Sequence, residues 1–408
     1  MPDAQLIGER IAYHRKRLGL SQVEFAGLVG RSESWVSQVE RGVRPVDRLS
    51  VLQKLADVLS VSVAEIRGTA EDEPTATEER PEAFDTLRLA LTGHPAARVV
   101  IGTDRPAVTH ERITELHERK APVWDMVHGS RYTELAPVLA ELISDLELAV
   151  RLAPDDQLKT DAREQLADTY QAAAAMLSKL GENDAAWIAA DRAAFIAESL
   201  DWPLAVAASL FRMAHVFLSL RQTTQAYQVG STAGQALESR IRTDPSAEAL
   251  SLYGAFQLVL AIAAARDNER AQAHKHLNAA RETAERIGED RNDYGTEFGP
   301  TNVAIHAVAI AVELGDAGQA LDLAQDVDTS HMSPERQARF LIDLAQAQAM
   351  RRQIGEALHS LEEAERLTPE QTRTHNVARD VARDLIQLSG GRPRPELRDL
   401  AERFGVLP

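Results

Sequence analysis

Ser21 to Arg44 reads SQVEFAGLVGRSESWVSQVERGVR, two short helical patterns joined by a tight turn. Ser21 and Glu24 stand three apart, the spacing of a capping box in which the hydroxyl takes a first-turn N–H and the carboxylate reaches back to the cap. Val23, Phe25, Ala26 and Leu28 supply an apolar face, and Gly30 supplies the positive φ that a corner needs. Ser32 caps a second helix in which Val36 and Val39 point inward. Glu33, Ser34, Ser37, Gln38 and Arg41 point outward from it. That outer face is short, polar and free of bulky aliphatics, which suits the edge of a base pair.

Helices flank the stretch on both sides. Before it, Ala4 to Leu18 carries Ile7, Ile11 and Leu18 inward. After it, Asp47 caps a fourth helix through Leu59, and Ser62-Val63-Ala64-Glu65 caps a short fifth. The residues alone leave a purely structural bundle as the alternative. Their order, however, resembles the helix-turn-helix domain of XRE/Cro-type bacterial repressors over residues 7–67. The likeness rests on IGERIAYHRKRLGLSQVEFA, VGRSESWVSQVERG and LSVLQKLADVLSVSVAEI. It implies that Glu33, Ser34, Ser37 and Gln38 read bases of double-stranded DNA, and that Gln22, Arg31, Arg41 and Arg44 grip phosphates. Arg15, among the basic residues of this head, is placed with the phosphate set. Two departures leave roles open: Glu33 either accepts from a cytosine N4 or caps its helix, and Trp35 either packs inward or touches a thymine methyl or sugar.

The 408-residue chain has a formal charge of −17 and no cysteine. Cysteine chemistry and a disulfide framework are thereby excluded, which fits a reducing cytoplasm. MPDAQLIGERIAYHRKR lacks the apolar core of a signal peptide, and the apolar run near Leu258 to Ala265 is short for a membrane span. The expectation is a cytoplasmic protein with no membrane partner. Residues 1–68 hold 10 Lys/Arg against 8 Asp/Glu, a net +2, which leaves −19 for the rest. An acidic body is repelled by DNA phosphates, so the head touches DNA and the body does something else.

Gly68 to Glu82, GTAEDEPTATEERPE, reads as an acidic linker spanning 69–82, and 83–108 as a connector in which Phe84 to Leu91 is helical. From residue 109 to 390 the helical signal repeats. A Gly or Arg ends one helix and an Ala follows five residues later, in the pairs Arg131/Ala136, Gly181/Ala186, Arg221/Ala226, Arg266/Ala271, Gly315/Ala320 and Arg352/Ala357. Such spacing is the signature of stacked helical hairpins. LIDLAQAQAMRRQIGEALHSLEEAERLTPE resembles a tetratricopeptide repeat, and the others resemble degenerate units of that kind. Residues 391–408 form a closing helix. EFGPTNVAIHAVAIAVELGDAGQAL and HMSPERQARFLIDLAQA further resemble XRE-type regulators of actinobacteria with long repeat-containing tails. The 39 Arg against 6 Lys is consistent with a GC-rich genome. The fold class is therefore all-α, a five-helix helix-turn-helix domain followed by an α-solenoid of tetratricopeptide-like hairpins.

In such arrays the first helix of each hairpin lines a concave groove. Aligning the units on their Ala brings Asn302, His306, Arg339, Arg212, His215, Tyr253, Phe256, Gln257, Asp343 and Gln346 to it. That mixture of aromatic surface with amide, imidazole and guanidinium suits a peptide or small-molecule effector. Asn302 leads because an amide donates to and accepts from a peptide backbone at once. The alternatives are that Asn302 caps its helix, that Arg339 pairs with Asp343 and that His306 is a core histidine. No H-E-x-x-H, Walker loop, G-x-S-x-G or G-x-G-x-x-G occurs, so no catalytic residue, metal ligand or cofactor is expected. The layout resembles the peptide-receptor regulators of Gram-positive bacteria, which implies quorum sensing by a homodimer on a palindromic operator. The alternative function is a DNA-anchored adaptor whose array binds a protein partner.

Overall fold

The computed structural model describes residues 4–46, 49–59, 61, 66, 82–93, 101, 106–390 and 393–407. Its ordered elements are helices, with no strand among the described residues. The head comprises α1 (Ala4–Arg17), α2 (Gln22–Val29), α3 (Glu33–Glu40) and α4 (Leu49–Leu59). Ile7, Ile11, Phe25, Val29, Val36, Val39, Leu52, Leu55, Leu59 and Ile66 form its own core. The two caps form as the spacing requires. The Ser21 hydroxyl accepts from the Glu24 N–H while Glu24 accepts from the Ser21 N–H, and Gly30 turns the corner at φ 70°. Ser32 accepts from Trp35. Gly8 lets α1 lie directly on α3, because a Cβ there would come 2.1 Å from the Val39 carbonyl.

The apolar face of α2 differs from expectation. Phe25, Ala26 and Val29 are buried, whereas Val23 and Leu28 are more than half exposed. Each lies roughly 100° from the centre of the buried stripe, too far round the helix to reach the core. The caps expected at Asp47 and at Ser62–Glu65, and the linker up to residue 81, lie outside the described residues.

The rest of the chain is a solenoid-like run of paired helices. It begins with α5 (Glu82–Thr92), α6 (His110–Lys120) and α7 (Val123–His128), followed by α8 (Tyr132–Leu152). Phe84, Leu87 and Leu91 of α5 join the first core of the array. Then come α9 (Asp156–Lys179), α10 (Asn183–Ser199), α11 (Pro203–Ser219), α12 (Thr223–Ile241), α13 (Ala247–Arg266), α14 (Arg270–Ile287), α15 (Pro300–Glu313) and α16 (Ala317–Ala324). The chain ends with α17 (Pro334–Met350), α18 (Ile354–Leu367), α19 (Pro369–Thr374), α20 (Asn376–Leu388) and α21 (Pro395–Arg403). The odd-numbered helices α9 to α17 pack on one another in series and form the inner layer. Helix α13 is long and apolar enough to cross a bilayer, contrary to the shorter run read from sequence. Its apolar residues are buried between its neighbours.

One joint recurs along the array. Ser130, Gly181, Asp201, Arg221, Asn268, Gly315 and Arg352 all take positive φ. The N–H after each returns to the carbonyl five residues back, at 2.8–3.0 Å. This closure satisfies an orphan carbonyl and reverses the chain in few residues. Five residues after the joint, Ala186, Ala226, Ala273, Ala320 and Ala357 are fully buried where the helices of a hairpin meet. Two of the paired positions need correction. The joint expected at Arg266 is Asn268, with Ala273 rather than the exposed Ala271 as its small residue, and the joint expected at Arg131 is Ser130. The corrected joint sits 47 residues from Arg221 and 47 from Gly315, a more even repeat.

The array closes on itself. Gln371 accepts from Ser130 at 2.6 Å and from Tyr132 at 2.9 Å, and Thr133 donates its N–H to Glu370 at 2.8 Å. Replacing Ala357 by Leu forces extra methylenes into a filled crossing and is expected to destabilise by about 1–3 kcal/mol in denaturant unfolding. Arg352→Gly relieves a left-handed arginine and is expected to be neutral or stabilising by up to about 1 kcal/mol in the same assay.

Candidate nucleic-acid interface and inner-face site

The outer face of α3 is open. Glu33 and Ser34 are exposed, while Ser37 and Gln38 are partly so. Arg31, Arg41 and Arg44 are exposed around it. Arg31 stacks its guanidinium 5.3 Å from the Trp35 ring, which itself packs against the head core, so Trp35 takes the inward role. Arg41 bonds the Ser37 carbonyl at 3.1 Å, which holds it beside the face.

Arg15 and Gln22 both bond inside the head. Arg15 is buried, with Nε 2.5 Å and Nη2 3.0 Å from Glu40 and a further bond to the Leu20 carbonyl. Gln22 donates to the same Glu40 at 2.7 Å. The three side chains lock α1 and α2 to the C-terminal end of α3. Arg15 is thus corrected to a structural group, because its donors are spent on Glu40 and Leu20.

The other side of α1 docks on the array. Arg17 meets Asp384 at 3.2 Å and Asp380 at 3.4 Å. Lys16 donates to Asn268 at 3.3 Å. Gly19, at φ 64°, approaches so closely that a Cβ would come 2.2 Å from the Met350 carbonyl. A cavity of about 100 Å³ remains between Tyr13, Lys16, Arg266, Glu313 and Gln346. His14 is buried with a pKa lowered to about 3, first by burial and then by Arg17 and Arg221. Burial pushes the Asp384 carboxyl up to about 7, although Arg17 pulls it down.

The inner layer gathers six of the ten expected groove residues. Arg212, His215, Asn302, His306, Arg339 and Asp343 face one another's charge there: His215 senses Arg212 and His306, and His306 senses Arg339. Arg339 pairs with Asp343 at 3.4 Å and bonds His375 at 2.5 Å. His306 bonds the Asn302 carbonyl at 2.8 Å, and its pKa is lowered to about 4 by burial and by Arg336. Gln346 lies instead at the cavity under the head. Phe256 is fully buried edge-on to Phe211, Gln257 bonds His276 at 2.8 Å, and Tyr253 is half buried beside the hydrophobic core. Their absence from the cluster follows from the two-residue register error, which turns a helix face by roughly 200°. The corrected register places Ala255, Leu258 and Val259 at those positions.

The groove is also partly filled by the chain itself. Between α14 and α15 the backbone of residues 294–297 lies against the inner layer. Arg212 donates to the carbonyls of Tyr294 and Gly295, at 2.5 and 3.2 Å. Arg336 donates to Thr296 at 3.4 Å, and Asn302 to Glu297 at 2.7 Å. Trp124 of α7 covers Arg212 with ring and guanidinium 5.1 Å apart. Lys179, Glu335, Arg336, Glu297, Trp124 and His375 were missed by sequence reasoning. Glu335 and Arg336 carry the one usable signal, since Arg336 stands a helical turn before Arg339. Lys179 meets Glu335 at 3.0 Å, and Gln371 donates to Glu335 at 3.2 Å.

Comparison with known proteins bears on the head. Residues 6–67 match the model of the helix-turn-helix domain. The HTH-type transcriptional regulator SinR of Bacillus subtilis is 38% identical over 58 residues, 14% of this chain and 52% of that protein. SinR of Bacillus licheniformis matches to the same extent. The uncharacterized HTH-type transcriptional regulator YazB of Bacillus subtilis is 38% identical over 64 residues, 16% of this chain and 91% of that protein. The chain spans about half the length of SinR.

Two outcomes are expected from this geometry. Glu40→Ala leaves Arg15 buried without its carboxylate and should destabilise the head by about 3–5 kcal/mol, read by thermal unfolding. Asp384 has a folded pKa raised above 3.8, so its contribution to stability is present below that value and lost as pH rises through about 7. Asp384→Asn should therefore raise the melting temperature above neutrality and flatten its fall between about pH 4 and 7.

Proposed function

The chain belongs to the HTH-type transcriptional regulators, and from that premise we propose that it is a sequence-specific DNA-binding regulator whose array senses an effector. The observation that carries this reading is the two-sidedness of the head. The polar face of α3 is open to solvent, while α1 is anchored to the array through Arg17, Lys16 and Gly19. DNA engages Ser34, Ser37, Gln38 and Glu33 in the major groove, and Arg31, Arg41 and Arg44 hold the flanking phosphates. The protein acts as a homodimer on a palindromic operator, with two heads about one helical turn, ~34 Å, apart.

The effector, a peptide or small molecule, binds the polar inner layer of the tetratricopeptide-like array, where Arg212, His215, Asn302, His306, Arg339 and Asp343 gather. Helices α15 and α17 carry inner-layer residues in their first half and reach the head with their last turns, at Glu313, Gln346 and Met350. A ligand that shifts these helices moves the platform on which the head sits. Its differential affinity for the two arrangements limits the change in operator binding.

Footprinting on the operator tests the reading helix. Ser34→Ala with Gln38→Ala should weaken binding by about 1–3 kcal/mol per lost base contact. Arg41→Ala should weaken binding to all sequences alike and lower the salt slope by about 1. Unchanged protection by the double variant would reject the assigned helix.

A further inference from the structure

Resting on the sensor reading above, we propose that the inner-layer site takes a small oxyanion, a carboxylate or phosphate that also carries an N–H or O–H donor, with Arg212 as its principal anchor. Arg212 is only 7% exposed, and among the described residues its hydrogen bonds go to backbone carbonyls rather than to a carboxylate. Two of its contacts are neutral carbonyls, and its Nε is buried with no hydrogen-bond partner. The guanidinium is held between two rings, 5.1 Å from Trp124 and 5.2 Å from Phe211. A buried guanidinium without a counter-charge is strongly disfavoured unless something supplies one. Its pKa is lowered to about 10, by burial first and Arg336 second, and the more distant Asp168, Glu335 and Glu297 only partly offset this.

The surroundings fit the same chemistry. Lys179, Arg336 and Arg339 add positive charge on the same layer, and their side chains keep 24%, 16% and 26% of their exposure. Solvent therefore reaches them although their α-helices are interior. The carboxylates nearby are already engaged: Asp168 by Lys120 and Trp124, Glu335 by Lys179 and Gln371, Glu297 by His128 and Arg336, and Asp343 by Arg339. His215 and His306 are held neutral by burial and the arginines, so they donate or accept as uncharged rings. Asn302 is 2% exposed and spends its amide N–H on Glu297, which leaves Oδ1 as a second buried atom with no partner. That acceptor calls for a donor on the ligand. The 294–297 backbone already occupies the donors that would hold an extended peptide, which favours a compact anion over a chain.

Inorganic phosphate, which carries both oxyanion and O–H, is the probe. Full-length protein is titrated with phosphate and, at equal ionic strength, with chloride, while tryptophan fluorescence is followed. Trp124 reports because it covers Arg212, and a Trp124→Phe variant identifies its share of the signal. The expected result is a saturable change with phosphate alone, absent in Trp124→Phe and shifted to about tenfold higher concentration in Arg212→Lys, which keeps charge but loses the Nε and the planar fork. A wild-type response equal to that of chloride, or an Arg212→Lys curve superimposable on wild type, would overturn the proposal. If Arg212→Lys fails to fold, the wild-type and Trp124→Phe titrations decide it. Since this assay contains no DNA, its failure alongside intact operator footprints removes the oxyanion and leaves the regulator. Saturable binding that leaves operator affinity unchanged keeps the site and removes the sensor reading.

Discussion

The array depends on one backbone constraint, the left-handed joint that closes each inner helix from α9 to α17 and recurs at Ser130 and Asp201. A non-glycine residue at positive φ costs about 1–2 kcal/mol. Yet Ser130, Asp201, Arg221, Asn268 and Arg352 all adopt it. What offsets that cost is visible at each joint: a returning N–H satisfies a terminal carbonyl, and in most units a buried alanine lets the two helices meet closely. A second consequence is positional. Because every inner helix ends in the same way, the joints fall along one edge of the solenoid, and that edge is where the head sits. Lys16 reaches Asn268 and lies beside Gly315, Gly19 abuts Met350, and Arg221 acts on His14.

The head divides its basic residues between two tasks. Arg15 is consumed internally, tying α1 to α3 through Glu40, and Lys16 and Arg17 are consumed by the array. Arg31, Arg41 and Arg44 remain exposed around the α3 face. A head with a net charge of only +2 therefore still presents three exposed arginines around that face. Long-range attraction to phosphate is weak for such a head, so correct placement of the α3 face matters more than bulk charge.

The sequence made the head legible because its signals are local. A capping box, a corner glycine and a second serine cap each depend on residues three or four apart, and each forms as written. Val23 and Leu28 misled because apolar character does not reveal which side of an eight-residue helix meets the core. The array was legible as a repeat, but its register was not. Arg266 matched the pattern by composition, whereas Asn268, the residue that takes positive φ, is two positions on. That small slip carried Tyr253, Phe256 and Gln257 onto the wrong face. Lys179, Trp124 and Glu335 were invisible for a different reason: they are brought together by the closure of the array, with Ser130 and Tyr132 against Gln371, across about 240 residues of chain.

That closure bears on what the inner layer can bind. An open concave groove holds an extended chain by its backbone, and Asn302 in such a groove would grip a foreign peptide. Here Asn302 grips Glu297 of its own chain, and Arg212 and Arg336 grip the neighbouring carbonyls. Tyr294 and Glu297 are held at positive φ in doing so, at 51° and 49°. A segment held in that backbone conformation by side-chain donors is in balance with whatever else could satisfy those donors. Under the oxyanion proposal, a ligand that supplies Arg212 with a negative charge would change that balance, and Glu297 would transmit it, since the same carboxylate accepts from Ser333 at the cap of α17. Helix α17 then runs 17 residues to Met350, beneath Gly19 of the head. The inner site and the DNA-reading unit are thus joined by one rigid element whose two ends each have a defined partner.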